Sequence, residues 1–151
     1  MRFTPWGINF FNFLKLPSVW WTGVRVKHID VNNCEVKVTY LWVNQNPFKS
    51  LFWAVQGMAA ELTTGVLLMQ AIAESKRNIS LLVLNNKATF SKKGRGKITF
   101  KCNQGELIRE AINKTIETKK SQTIWLNAKG VDQANDQISS FSFEWTLLLK
   151  K

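Results

Sequence analysis

The sequence predicts an α+β fold in which a curved antiparallel sheet of about six strands wraps around one long central helix. Residues 51–73 are apolar nearly all round and carry a single ionisable group, Glu61. Segments on both sides of this stretch alternate between apolar and polar residues, as half-buried strands do. A sheet that encloses the apolar helix satisfies both patterns. We expect residues 1–151 to form one domain, because this length supports a single core.

The N-terminal segment, residues 1–20, predicts a short helical cap. Pro5 suits the first turn of a helix. Four apolar residues share one face of that helix: Trp6, Phe10, Phe13 and Leu14. Two asparagines interrupt the apolar run, and no small-residue cleavage site follows, which argues against a signal peptide. We expect this face to cover the core; a membrane-surface anchor is the alternative.

Two strands and the long helix follow. Residues 24–30 alternate, Asn32-Asn33 marks a turn, and a second alternating run begins at Cys34, which together predict a hairpin. Ser50 is a plausible N-cap for the long helix. Residues 51–73 contain no proline and are rich in Ala, Leu and Met, which favours helix.

Four strands and a small helix complete the chain. Residues 79–90 predict a strand, and a basic glycine turn at residues 92–97 leads into another that reaches Cys102. Helical spacing of apolar residues over 107–116 predicts a short amphipathic helix, and residues 123–129 predict a strand. The last strand is the clearest, with one apolar face: Phe141, Phe143, Trp145, Leu147 and Leu149.

Protein, not lipid, is expected to surround the central helix. Its length would span a bilayer, but Glu61 would lie near the bilayer centre, where an acidic residue is costly. We therefore predict no membrane span. The formal net charge of +11 indicates an anionic partner, which is a nucleic acid, a membrane surface or a phosphorylated small molecule.

Metal and cofactor chemistry finds little support in the sequence. His28 is the single histidine, and no Cys-x-x-Cys pair is present, so we predict no metal site. No Gly-x-Ser-x-Gly motif marks a serine hydrolase, and no cofactor is predicted. Cys34 and Cys102 are interpreted as buried free thiols of a reducing compartment, which favours a cytoplasmic location.

The loop before the long helix resembles that of thioesterase-like hotdog proteins. In that family the loop reads Asn-Pro-x-Gly-Thr-x-His-x-Gly, and an acidic residue follows seven positions later on the helix. Four residues match this pattern: Asn46, Pro47, Ser50 (for Thr) and Glu61. Lys49, Phe52 and Ala54 stand where Gly, His and Gly are usual. The strand order fits over nearly the whole chain, and the nearest branch is an uncharacterised one related to acyl-CoA thioesterases.

The resemblance implies a thioesterase that acts on acyl-CoA or an acyl-carrier thioester. Glu61 would be the general base or nucleophile, Asn46 a second catalytic residue, and the Ala54 N–H a donor to the thioester carbonyl. Burial would raise the pKa of Glu61. The expected substrate contacts are Phe52, Ala54, Gly57, Met58, Thr64 and Gly65, whose small members leave room for pantetheine. Alternatively, the glycines only permit close packing, and Glu61 is hydrogen-bonded to Asn46 or Thr64 without doing chemistry.

A basic stretch, residues 87–101, carries no acidic residue. Lys93 and Arg95 would hold the phosphates of coenzyme A at a tunnel mouth. A less favoured alternative is a nucleic-acid-binding protein in which Trp125 stacks on bases. A third is a hotdog module that binds an acyl chain or lipid without hydrolysing it. Because a lone subunit would expose a sheet edge, we expect a homodimer or a dimer of dimers.

Overall fold

One long helix packs against a single sheet. The structure is a computed structural model that describes residues 2–151. In chain order its elements are α1 (Pro5–Lys15), α2 (Pro17–Trp21), β1 (Arg25–Ile29), β2 (Cys34–Thr39), a 3-10 turn (Trp42–Asn44), α3 (Trp53–Ser75), β3 (Ile79–Phe90), β4 (Lys97–Cys102), α4 (Gly105–Thr118), β5 (Gln122–Val131) and β6 (Gln137–Leu149). The six antiparallel strands lie in the order β1-β2-β4-β5-β6-β3. This confirms the predicted hotdog fold.

Helix α1 packs on β1, and an asparagine side chain joins the two elements. The Thr4 side chain accepts a hydrogen bond from the Gly7 N–H (3.1 Å) and so caps α1. Asn9 exchanges two hydrogen bonds with the backbone of Val26, at 2.8 and 2.9 Å. The face of α1 that carries Trp6 points to solvent, with Trp6 75% exposed. The expectation that this face covers the core is therefore wrong.

The predicted β1–β2 hairpin is present. The Asp30 carboxylate accepts hydrogen bonds from the backbone N–H groups of Asn32 (2.7 Å) and Asn33 (2.8 Å) and so closes its turn. Cys34 lies opposite Cys102 on β4, and both are buried free thiols, as expected. Burial raises the pKa of Cys34 to about 12, which keeps this thiol protonated and unreactive at neutral pH.

The central helix α3 starts later than the sequence predicts. Phe52, and not Ser50, is its N-cap, and no side chain caps the helix there. Ser50 instead bonds to Asn46 in the preceding loop, which removes it from the cap position. The helix runs for 23 residues to Ser75, and its C-cap residue Lys76 adopts a left-handed conformation with φ 55°.

The sheet does not enclose α3 on every side. Most of the helix is buried against the inner face of the sheet and against α4, but Trp53 and Glu61 are exposed. The edge strand β3 pairs only with β6, so its other edge faces no strand of residues 2–151. No helix in these residues is long and apolar enough to cross a membrane.

Candidate active site

The loop that precedes α3 is organised by Asn46. Its backbone N–H donates to the Ser50 carbonyl (2.8 Å), and its side-chain oxygen accepts from the N–H groups of Phe48 (2.9 Å) and Ser50 (3.2 Å). Lys49 lies at the tip with φ 56°, in the left-handed region that favours glycine. That conformation explains physically why glycine is usual at this position of the motif. Asn46 thus fixes the path by which the chain enters α3.

The N-terminus of α3 presents unused backbone donors. The N–H groups of Val55 and Gln56 both donate to the Phe52 carbonyl, at 3.0 and 3.1 Å. The N–H groups of Trp53 and Ala54 find no acceptor within residues 2–151. Free N–H groups at the positive end of the helix dipole suit a carbonyl oxygen or an anion. The geometry therefore allows the role expected for the Ala54 N–H.

A pocket of about 530 Å³ opens at this end of α3. The β3–β4 loop forms its opposite wall and is tied to the entrance by a hydrogen bond from the Leu51 N–H to the Gly94 carbonyl (2.8 Å). The lining is mainly apolar and aromatic: Pro47, Phe48, Leu51, Phe52, Trp53 and Phe90. Asn46 and Lys93 also line it. Such a lining suits an acyl chain or another apolar ligand.

Gln56 is the polar residue that sequence reasoning missed. It lies in the first turns of α3, lines the pocket, and is 4% exposed. Its Nε2 donates to the Leu51 carbonyl at 3.4 Å, but its Oε1 has no hydrogen-bond partner. An unpaired buried carbonyl costs roughly 1–3 kcal/mol. A ligand that donates an N–H or O–H would remove that cost. The feature of the sequence that could have identified Gln56 is an amide side chain at the start of an otherwise apolar helix.

Only part of the basic stretch faces the pocket. The Lys93 Nζ lies 6.0 Å from the centre of the Phe48 ring and is free of ion pairs within residues 2–151. The Arg95 Nε donates to the Lys49 carbonyl (3.1 Å), so Arg95 braces the loop before α3. Lys92 is paired with Asp132 at 2.7 Å. Lys93 is therefore the cation best placed to meet an anionic ligand.

Glu61 lies apart from the pocket, two turns further along α3. Its side chain is exposed in the single chain, where the sequence led us to expect burial. Its carboxylate makes no hydrogen bond or ion pair with any residue between 2 and 151. The surrounding protein nevertheless raises the pKa of Glu61 by desolvation.

The residues around Glu61 pack against β6. The Thr64 hydroxyl donates to the Glu61 backbone carbonyl (3.0 Å) and accepts from the Trp145 indole N–H (3.1 Å), so it does not hold the carboxylate. A Cβ placed on Gly57 would lie 3.6 Å from the Phe141 ring, and one on Gly65 3.5 Å from Trp145. Aromatic rings of β6 therefore lie next to both glycines. Met58, on the same side of α3, is half-buried.

A second concavity, of about 710 Å³, lies over the end of the β1–β2 hairpin and the outer faces of β4 and β5. Two ionisable pairs lie along it: His28 is 2.9 Å from Asp30, and Lys101 is 3.2 Å from Glu35. Lys129 lines it without an ion pair to residues 2–151. None of the buried unpartnered polar atoms of residues 2–151 lies among its lining residues. The pocket at α3 is therefore the stronger candidate site.

Comparison with solved structures supports the class of protein that the fold defines, which is a hotdog-fold domain, and the similar structures include proteins named as thioesterases. A probable thioesterase from Pseudomonas aeruginosa aligns with a TM-score of 0.83, 17% identity and 97% of each chain covered. A protein from Shewanella oneidensis, named provisionally as a thioesterase, aligns at 0.80 with 7% identity, over 95% of this chain and 96% of that one. Identities this low establish the fold. The chain belongs to the DUF4442 family, a domain of unknown function whose model matches residues 7–147.

A thioesterase from Staphylococcus aureus shares the fold at a TM-score of 0.68 and 11% identity, with 87% of this chain and 98% of that chain covered. Two solved variants of that protein carry alanine in place of a glutamine and of a glutamate that lie fifteen residues apart. Among curated protein sequences no match is found.

Proposed function

We propose that this protein is a thioesterase that hydrolyses acyl-CoA or acyl-carrier thioesters. The observation that carries the proposal is the uncapped N-terminus of α3, whose free N–H groups meet an apolar pocket with an unpaired amide oxygen. The N–H groups of Trp53 and Ala54 would hold the thioester carbonyl oxygen and the oxyanion that forms from it. Gln56 would accept a hydrogen bond from the bound thioester, and Lys93 would meet the phosphates of the carrier.

Glu61 is proposed as the general base, but not for the pocket of its own chain. Ala54 and Glu61 are seven residues apart on α3, roughly 10 Å along the helix axis, and the N–H groups at the start point away from Glu61. A general base must lie within about 3 Å of the proton that it takes. A second copy with its α3 antiparallel against the exposed side of the first would bring Glu61 of one chain to the pocket of the other.

The exposed edge of β3 supports such a homodimer. Its outer edge has no neighbouring strand among residues 2–151, and Leu82 on this strand is 59% exposed. Long unpaired edges normally pair or are covered. Joining the sheets of two copies at β3 would cover the edge and place the two α3 helices on the same side of the joined sheet.

The chemistry follows from this arrangement. The Glu61 carboxylate takes a proton from water as the water oxygen attacks the thioester carbon. The resulting oxyanion is held by the N–H groups at the start of α3. The oxyanion then re-forms the carbonyl as the C–S bond breaks, which leaves the carboxylic acid, and the sulfur takes the proton back from Glu61 and departs as the thiol. The raised pKa of Glu61 makes the carboxylate a stronger base than a solvated one.

The comparisons lend support to this pair of residues. Asn46 and Glu61 are fifteen positions apart in this chain, which is the separation of the glutamine and glutamate that were replaced in the S. aureus thioesterase. Two further neighbours carry thioesterase in their names. Asn46 would act by fixing the loop that sets the first N–H groups of α3.

Thiol release from a panel of acyl-CoA substrates tests the proposal. Glu61→Gln keeps the shape of the side chain but removes the base, so thiol release should fall by about 10²–10⁴-fold. Glu74→Gln, at an exposed glutamate on the same helix, is the matched control and should leave the rate unchanged. Turnover that persists in Glu61→Gln would contradict the role of Glu61.

A non-catalytic acyl-binding module is the second candidate. It is favoured by the pocket lining, which has Phe52 where the motif usually has histidine and contains no carboxylate. If wild type and Glu61→Gln both bind acyl-CoA and neither releases thiol, this candidate is correct. Nucleic-acid binding has less support, because Lys87 lies 5.0 Å over the Trp125 ring that would stack on bases. Absence of oligonucleotide binding at low salt would dismiss it.

A further inference from the structure

Helix α1 buries Ile8 and Asn12 against the protein and turns its largest side chains outward. Asn12 is buried on the protein side, and its Nδ2 has no hydrogen-bond partner. Four large apolar side chains face outward and form what we call the aromatic face: Trp6, Phe10, Phe13 and Leu14. A helix that packs on a protein normally buries its apolar face. The orientation of α1 therefore indicates that something outside residues 2–151 contacts the aromatic face.

The rings of the aromatic face are ordered by contacts with one another. The Trp6 and Phe10 rings stack with centroids 5.5 Å apart and an angle of 1° between their planes. The Phe13 ring meets Trp20 of α2 edge-on at 5.1 Å. The Asn9–Val26 hydrogen bonds hold α1 on β1, so the face is presented at a fixed orientation.

Exposed aromatic residues continue from this face to the mouth of the pocket. Asn44 links the segments, because its Nδ2 donates to the Thr22 and Thr39 carbonyls (both 2.9 Å) and its carbonyl accepts from the Phe52 N–H (2.9 Å). Two tryptophans stand out beside these contacts, Trp21 at 72% and Trp42 at 85% exposure. Phe52, at the pocket mouth, is also exposed.

The charges around this surface have one sign. Arg2 and Lys15 flank α1, and both are exposed. Lys49 and Lys93 lie near the pocket mouth. No Asp or Glu occurs in residues 2–24 or 40–58, which carry all the exposed aromatics of the surface. Tryptophan side chains next to lysine and arginine are the composition that settles at the interface of an anionic bilayer.

We propose that the aromatic face, together with Trp21 and Trp42, docks this protein on the surface of a bilayer that contains anionic phospholipids. The rings enter the headgroup region, and the flanking cations contact phosphate groups. The docking does not depend on the proposed function. One consequence rests on the proposed function: if the pocket hydrolyses thioesters, its mouth lies beside the bilayer surface into which long acyl chains partition.

Flotation of the full-length chain with lipid vesicles tests the proposal. Vesicles of phosphatidylcholine with about a third phosphatidylglycerol should carry the protein, pure phosphatidylcholine vesicles should carry much less, and added salt should release it. The double variant Trp6→Ser/Phe10→Ser should lower the bound fraction at least about tenfold. Trp125→Ser, at a half-exposed tryptophan on β5, is the matched control and should bind like wild type.

Two results would overturn the proposal. One is the absence of binding to anionic vesicles; the other is equal binding by wild type and the double variant. If the double variant instead converts a wild-type dimer into a monomer, the aromatic face joins two copies. Thermal unfolding verifies that the variant remains folded. Thiol release from a short-chain acyl-CoA without vesicles should be equal in both proteins, which separates docking from catalysis.

Discussion

Single residues that lack partners define the candidate site. The Gln56 carbonyl oxygen, the Glu61 carboxylate and the Ala54 N–H all find no counterpart within residues 2–151. An unpaired polar group is costly when it is buried, as the Gln56 oxygen is, and this favours a ligand in the pocket. Glu61 is exposed and therefore open to a second chain. The neighbouring Asn46 behaves in the opposite way, since its hydrogen bonds are used to hold the loop.

Lys49 offers a test of the loop geometry. Lys49→Gly removes the cost of a left-handed side-chain-bearing residue but makes the unfolded chain more flexible. We expect the free energy of unfolding to stay unchanged or rise by up to about 1 kcal/mol. Lys97→Gly, on β4, is the control and should lower it by about 0.5–1 kcal/mol. Chemical denaturation measures both, and an equal loss in the two variants would contradict the assigned strain.

The pH dependence of stability tests the environment of Glu61. Its pKa is raised from 4.5 in the folded protein, so the folded state binds the proton more tightly than the unfolded state does. The resulting stability is complete below about pH 4.5 and is lost as pH rises through the folded pKa. Glu61→Gln should therefore gain stability relative to wild type between acid and neutral pH.

Asp132→Asn provides the contrast to that experiment. The hydrogen bond from Lys92 lowers the pKa of Asp132, so its contribution is present above pH 3.8 and is lost as pH falls. Wild type should therefore exceed Asp132→Asn in stability at neutral pH, and the difference should shrink in acid. Denaturation curves at several pH values measure both trends. A difference in free energy of unfolding between wild type and Glu61→Gln that does not change with pH would refute the desolvation of Glu61.

At the scale of elements, α3 and the β3–β4 loop contribute different groups to the candidate site. The start of α3 supplies backbone donors, and its middle uses Gly57 and Gly65 to receive the rings of β6. The loop places Lys93 at the pocket mouth, whereas Arg95 braces the turn at Lys49. In the proposed function, Lys93 would bind the carrier, whereas the neighbouring Arg95 supports the loop.

The β3–β4 loop can be tested with two thioester substrates. Lys93→Ala should raise KM for acyl-CoA, more strongly at low salt, because a phosphate contact is lost. The same variant should leave KM for an acyl N-acetylcysteamine thioester unchanged, since that substrate carries no phosphate. Lys114→Ala, at an exposed lysine of α4, is the control. An equal change in KM for both substrates would show that Lys93 does not bind the phosphates.

At the scale of the whole molecule, two surfaces remain uncovered in the single chain. The edge of β3 presents unpaired backbone groups beside Leu82 and Leu84, and the aromatic face of α1 presents large rings. We assign the first to a second copy and the second to a bilayer. The two surfaces belong to elements at opposite ends of the sheet, because α1 packs on β1 and β3 closes the other end.

The β3 edge predicts the oligomeric state. Sedimentation at micromolar concentration should show a homodimer or a dimer of dimers, and Leu82→Lys/Leu84→Lys should shift it towards monomer, because charges on an edge oppose pairing. Leu148→Lys, at an exposed leucine of the inner strand β6, should not. A wild-type monomer under these conditions would remove the second copy from the proposed site.

The sequence by itself determined the six strands, the long helix and the amphipathic helix in their order, but not the division of the N-terminal segment into α1 and α2. The alternation of β6 and the unbroken apolar run of α3 are local patterns, and burial follows directly from the period of a strand or a helix. It also determined the motif that contains Asn46 and Glu61. In α3 the prediction from the sequence was wrong at the N-cap. Ser50 bonds instead to Asn46, a partner that no helix pattern reveals.

Only the tertiary structure decided which way each patterned face points. The spacing of α1 predicts that the face with Trp6 is buried, yet Ile8 and Asn12 are the buried residues of this helix. The open side at Glu61 and the missing partner of Gln56 likewise depend on where β6 and the β3–β4 loop lie relative to α3. Periodicity is set by neighbours along the chain, but orientation and pairing are set by contacts between residues far apart in sequence.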